Sequence, residues 1–176
     1  MLKSEVKSRA EQFCKENNIN TCPVEIVKVC KENGLEVFEE YLGSDISGMI
    51  VVDDIEWEGY NTKQFISVNL AESAVRRRFS IAHELAHFVL HRNGSKLYAH
   101  RDFLGKGTIN SGIEQEANYF AANILMPEEL VKEKVEEIKD SVWGVLPSFV
   151  LIREIADNFV VSESAAEVRL KQLGIL

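Results

Sequence analysis

Apolar positions recur at helical spacing from about Lys3 to Asn17, where Val6, Ala10, Phe13 and Cys14 share one face. Pro23 suits the first position of a second helix running to Glu32, because a first helical turn leaves its N–H groups unbonded anyway, and Gly34 ends that helix. Three short β-rich runs follow, Leu35 to Tyr41, Gly48 to Val52 and Gln64 to Leu70, separated by Gly, Ser, Asp and Asn turn residues. They predict a small antiparallel sheet. From Ala71 the period turns helical again, with helices from Arg76 to His91, from about Gly112 to Leu125 and, after Met126-Pro127, from Glu128 to Ile138. A loop from about Asn93 to Ser111 separates the first two. After Trp143-Gly144 the pattern predicts two short helices, Phe149 to Asn158 and Ser162 to Leu173, with Ser162 as N-cap. The fold class is therefore α+β, with one domain over residues 1–140 and a C-terminal helical hairpin over 141–176.

Composition narrows the class. At 176 residues the chain can bury one core, and its 45% hydrophobic and 27% charged residues are those of an ordinary globular protein. No run approaches the roughly 20 apolar residues of a membrane span. Met1-Leu2-Lys3-Ser4-Glu5-Val6-Lys7 places charges where a signal peptide needs an apolar stretch, so a cytoplasmic location is expected. Cys14, Cys22 and Cys30 lack both CxxC spacing and a nearby histidine, and are read as buried or idle thiols. A formal net charge of −8 disfavours direct nucleic-acid binding, which depends on concentrated Lys and Arg, and makes a protein partner the better expectation.

The strongest chemical signal is His83-Glu84-Leu85-Ala86-His87. Residues four apart lie on one helix face, so His83 and His87 can offer two imidazole nitrogens to one ion. Glu84 is rotated to a neighbouring position, where it can take a proton from a water molecule rather than bind the ion. Phe79, Ile81, Ala82, Leu85, Ala86, Phe88, Val89 and Leu90 make the helix apolar nearly all round. Two histidines and a glutamate in such a helix are costly to bury without partners, and a metal ion supplies them.

A catalytic zinc site uses three protein ligands and keeps its fourth position open. His91 is a poor third ligand. It follows His83 by eight residues on the same helix, roughly 12 Å along the axis, with no intervening glycine to turn the chain, and reads better as a helix C-terminal residue favoured by the dipole. Glu114 and Glu116 flank the apolar stripe of the next helix, drawn by Ile113, Ala117, Phe120, Ala121, Ile124 and Leu125, and geometry separates them little. Asn118 favours Glu114: one turn further on the same side, it can hydrogen-bond the free nitrogen of a ligating histidine.

These residues resemble the ImmA/IrrE metallo-endopeptidases. The matching stretches are Arg76-Arg77-Arg78-Phe79-Ser80-Ile81-Ala82-His83-Glu84-Leu85-Ala86-His87 with Leu90-His91, and Glu114 through Asn118 with Phe120-Ala121-Ala122 and Leu125-Met126-Pro127. Pro23-Val24 before the second helix is also similar. The resemblance implies a zincin-like α+β domain with Glu114 as third ligand, and a substrate that is a helix-turn-helix transcriptional repressor cut at a defined site. Ala86 stands where glycine is common, and both are small. The tail Leu151 to Asp157 and Val161 to Leu170 resembles a helix-turn-helix, yet Arg153, Arg169 and Lys171 are outnumbered by Glu154, Asp157, Glu163 and Glu167, which suits packing or repressor docking better than DNA.

The expected mechanism is metal-assisted peptide hydrolysis, with Zn2+ held by His83, His87 and Glu114, Asn118 orienting a ligand, and Glu84 as general base. Tyr98 and His100 are available to stabilise an oxyanion, and neither is assigned. The rival expectation is a non-catalytic module that uses the metal for stability and the hairpin to bind protein or DNA; a carboxylate such as Glu84 has no task in that design.

Overall fold

The computed structural model describes residues 1–53, 58–92, 97–99, 111–141, 143–144 and 146–176. Helix α1 (Lys3–Glu16) buries Val6, Ala10 and Phe13, the stripe its sequence period predicts. Helix α2 spans Ile26–Glu32, so Pro23 precedes it rather than opening it. Tertiary contacts explain the shift. Val24 is buried and its carbonyl accepts from Arg78 at 2.9 Å, while the Cys22 thiol donates to the Asn158 carbonyl at 3.1 Å, contacts that hold this segment outside the helix.

The sheet has the order β1-β3-β2-β4, formed by β1 (Glu36–Glu40), β2 (Gly48–Val52), β3 (Gln64–Asn69) and β4 (Leu97–Ala99). Strand β2 is antiparallel to both β3 and β4, as expected, but β1 is parallel to β3, with Val37 opposite Ile66. The β1–β2 connection must cross the end of β3 to give that order. Asn69 holds the crossing: its side-chain amide donates to the carbonyls of Gly43 and Ile46 at 2.6 and 2.8 Å, and its oxygen accepts from Ala71 N. Strand β4 lies inside the stretch expected to be loop. Three residues are too few to show a period, and the strand is defined by its pairing with β2.

Central strand β3 is buried on both faces. Ile66 and Val68, with Ile50 and Val52 of β2, join the main core. On the other face Phe65 stacks on Tyr60 at 4.0 Å and meets Phe38 edge-on at 5.8 Å.

Helix α3 (Ala74–Leu90) packs on the main-core face of the sheet. It starts two residues before the expected Arg76 because the Ser73 hydroxyl caps it, accepting from Arg76 N at 3.2 Å. The run Arg76-Arg77-Arg78 anchors this end: Arg77 donates to the Glu72 carbonyl and pairs with Glu39 of β1, and Arg78 reaches Val24. Helix α4 (Ser111–Leu125) packs along α3 and α1, with Phe13 and Phe120 edge to face at 5.6 Å.

Helix α5 spans Glu128–Ser141, and the C-terminal hairpin is α6 (Ser148–Phe159) with α7 (Glu163–Gln172). Ser162 caps α7 through a 3.2 Å bond from Ala165 N, as the sequence predicts. Leu151, Ile155, Phe159, Ala166 and Leu170 belong to the same buried cluster as the α1, α3 and α4 residues. Arg169, only 2% exposed, donates from Nε to the Met126 carbonyl at the end of α4. The three cysteines are free, and burial pushes the Cys14 thiol up to about 11 and the Cys30 thiol to about 12. Among the described residues no helix is long and apolar enough to cross a membrane.

Candidate metal centre

Two helix faces build the site. On α3, His83 and His87 stand one turn apart, with their Nε2 atoms 3.1 Å from each other. On the first turn of α4, Glu114 places one carboxylate oxygen 3.2 Å from His83 Nε2 and the other 3.4 Å from His87 Nε2. The three residues offer ligand atoms that all lie within 4.8 Å of one another. Ligands held at about 2.0–2.2 Å around a small tetrahedral ion stand roughly 3.3–3.6 Å apart. The observed separations fit that spacing with little adjustment, and two imidazoles with one carboxylate are donors a divalent ion takes. The cluster could hold a metal ion.

Electrostatics agree with the donor set. Hydrogen bonds from His83 and His87 hold the Glu114 carboxyl far below the usual carboxylate range, so it is an anion at neutral pH. Burial alone would lower the His83 pKa; the hydrogen bond to Glu114, the charges of Glu84 and Glu114 and the contact with Asn118 outweigh it and raise the value.

Glu84 is buried, 7% exposed, on the side of α3 that faces β2. Its carboxylate lies against Gly48, where a Cβ would come within 3.5 Å of Glu84 Oε1 and of Val68 at 3.4 Å. A Cβ at position 48 would therefore make ordinary van der Waals contact with this side chain. Glu84 is absent from the ligand cluster, yet near enough for its charge to act on His83.

The outer nitrogens of both histidines are also engaged. His83 Nδ1 is 2.9 Å from Asn118 Oδ1, the contact that the spacing of Glu114 and Asn118 predicts. His87 Nδ1 is 3.0 Å from His91 Nδ1, and His91 Nε2 is 3.1 Å from Glu116 Oε2. Burial lowers the His91 pKa and the neighbouring His87 adds to this, partly opposed by the hydrogen bond to Glu116. The Met1 amine and His91 keep Glu116 below the usual carboxylate range.

Neither His91 nor Glu116 is among the clustered ligands. His91 is the C-cap of α3, the helix-end place that its position in the sequence predicts, but its ring is turned to His87. The signal was present in the spacing, since His91 follows His87 by the four residues that bring side chains together. Of the two acidic residues weighed as third ligand, Glu114 is in the cluster and Glu116 contacts His91. Tyr98 lies in β4, where side chains are outside the described set, and His100 is outside the described residues.

Comparison with curated proteins finds no significant match. Among solved structures, the chain is similar to a Mycobacterium tuberculosis transcriptional regulator, with a TM-score of 0.57 and 15% identity; the match covers 95% of this chain and 46% of that one. This likeness bears on the fold, and the chain spans less than half of that protein. A model of the peptidase family Peptidase_M78, described as the IrrE N-terminal-like domain, matches residues 30–171, most of the length, and the chain belongs to that family.

Proposed function

We propose that this protein is a zinc-dependent endopeptidase that cuts a transcriptional repressor at a defined site. The observation that carries the reading is the convergence of His83, His87 and Glu114 on one point, with the Glu84 carboxylate buried on the helix that bears the two histidines. His83, His87 and Glu114 would hold the ion, and Asn118 fixes the His83 ring so that Nε2 keeps its lone pair for binding. A zinc ion held by these residues would supply Lewis acidity toward the scissile carbonyl and a more acidic water at neutral pH. Glu84 accepts the proton of the attacking water and then returns it to the departing amine, so the carboxylate ends the cycle as it began.

Membership of a peptidase family supports hydrolysis of a peptide bond. The repressor as substrate rests on the resemblance of the two central motifs to the ImmA/IrrE enzymes, and the similar structure is described as a transcriptional regulator. That description also favours a second reading, a non-catalytic metal-stabilised module acting through the C-terminal hairpin. As a DNA reader the hairpin is poorly equipped: Arg169 is buried and Lys171 is paired with Glu167. The deciding experiment measures zinc stoichiometry and incubates the zinc-loaded protein with a helix-turn-helix repressor encoded nearby. One zinc per chain with a single defined cut is expected; one zinc with tight binding and no cut favours the regulatory module.

A further inference from the structure

We propose that His91 and Glu116 are positioning residues for the metal ligand His87, holding its ring in the orientation and tautomer that aim the Nε2 lone pair at the ion. The proposal rests on the metal-site reading above. It starts from three contacts in series: His87 Nδ1 to His91 Nδ1 at 3.0 Å, His91 Nε2 to Glu116 Oε2 at 3.1 Å, and Glu116 Oε1 to the Met1 amine.

Only one placement of protons satisfies the first two contacts and the ligand role together. If His87 binds through Nε2, its proton sits on Nδ1 and is donated to His91 Nδ1. His91 Nδ1 must then be an acceptor, so the His91 proton sits on Nε2, where it is donated to the Glu116 carboxylate. Each group is used in the one role open to it. Reversing the proton on either ring brings two lone pairs or two N–H groups face to face.

The arrangement mirrors the opposite side of the centre. His83 is held from α4 by Asn118, and His87 is held from within α3 by His91, which α4 in turn fixes through Glu116. Glu114, Glu116 and Asn118 alternate along the first turns of α4. One helix therefore supplies a ligand, the outer contact of His83 and the partner of His91, which in turn contacts His87. The His87 and His91 side chains are only 6% and 12% exposed, so water does not readily substitute for these bonds. Outer contacts of this kind orient a ligating imidazole and raise its basicity, and losing one weakens metal binding by about 10- to 100-fold.

Competition with a chromogenic zinc chelator at fixed pH tests the idea, alongside melting of the metal-free and zinc-loaded forms. His91→Phe keeps a ring of similar shape and removes the acceptor. It should bind zinc about 10- to 100-fold more weakly and show a smaller zinc-induced rise in Tm. His91→Gln retains a carbonyl for His87 and an amide donor for Glu116, and should recover most of the loss. Glu116→Gln should weaken zinc less than His91→Phe does. The double variant His91→Phe with Glu116→Gln should bind no more weakly than His91→Phe alone, because Glu116 reaches the ion only through His91.

If His91→Phe does not fold, His91→Gln and Glu116→Gln, which keep polar groups in place, carry the comparison. Wild-type zinc affinity in folded His91→Phe, or additive losses in the double variant, overturns the proposal while leaving the metal site intact. A purely structural role is recognised by a fall in metal-free Tm with an unchanged zinc-induced increment, and also overturns it. Failure of the wild-type protein to bind zinc removes the metal reading itself, and His83→Ala serves as the control for specific binding.

Discussion

Replacing Glu84 by glutamine preserves the volume of the side chain and removes its ability to take a proton. Because this carboxylate stands outside the ligand cluster, the variant is expected to retain full zinc stoichiometry and the wild-type circular dichroism spectrum. Cleavage should fall by on the order of 10²- to 10⁴-fold, and repressor cutting that continues at the wild-type rate in the zinc-loaded variant would refute the assignment of the base. The ligands behave differently. His83→Ala, His87→Ala and Glu114→Ala should each lose stoichiometric zinc in an assay of metal content after desalting, since two remaining donors hold the ion poorly. Retention of one zinc per chain in both histidine variants would remove the site. At this scale the sequence was largely legible, because four-residue spacing on a helix specifies a geometry before any tertiary contact is known. His83, His87 and Asn118 are all readable in that way. The choice of Glu114 over Glu116 needed one further contact, and the contact of His91 with Glu116 was hidden because Glu116 comes from another helix, which intrahelical spacing cannot place.

Elements were readable where an apolar stripe marked the buried face, as in α1, or a capping serine marked the start, as in α7, and less so where tertiary contacts set the boundary. Pro23 is the instructive miss: propensity allows it to open α2, but Val24 is buried and its carbonyl is taken by Arg78 of α3. Strand direction was invisible for a similar reason, since alternation specifies faces and not neighbours, and only the Asn69 clasp shows how β1 comes to lie parallel to β3. Between elements, Lys7 of α1 meets Glu128 of α5 at 2.7 Å, and Lys132 meets the same carboxylate at 2.6 Å. Hydrogen bonds from Lys132 and Lys7 hold the Glu128 pKa at about 2, below an unfolded value of about 4.3. A depressed carboxyl pKa contributes stability that is complete above the unfolded value and disappears as pH falls through the folded one. Glu128→Gln should therefore be less stable than wild type at pH 6 by no more than about 1 kcal/mol, given the partial exposure of the group. Urea titrations should show the difference narrowing between about pH 4.5 and pH 2. A gap that stayed constant over that range would mean the carboxylate charge contributes nothing.

On the scale of the whole molecule, the change of pattern near residue 140 reads as a boundary between a metal-binding part and a helical hairpin. The core does not divide there. Leu151, Ile155, Phe159, Ala166 and Leu170 pack in one cluster with Phe13, Leu85, Phe120 and Val131, and Arg169 carries the hairpin to the last turn of the helix that bears Glu114. A chain ended after Asp140 would expose its side of this cluster to water, at roughly 25 cal/mol for each Å² of apolar surface uncovered, and leave the Met126 carbonyl without its arginine donor. Domains of this size are stabilised by only about 5–15 kcal/mol in total, so losing several large apolar contacts removes much of that margin. We expect residues 1–140 alone to unfold without a cooperative thermal transition and to bind zinc far more weakly than the full chain, because α4 would lose the support that aligns Glu114 with His83 and His87. A milder variant separates packing from simple truncation. Arg169→Met keeps most of the side-chain volume and removes the bond to Met126, and should cost about 1–3 kcal/mol in urea unfolding while leaving zinc stoichiometry unchanged. Cooperative melting of residues 1–140, together with full-strength zinc binding, would establish the first part as an independent unit and give the hairpin a separate task.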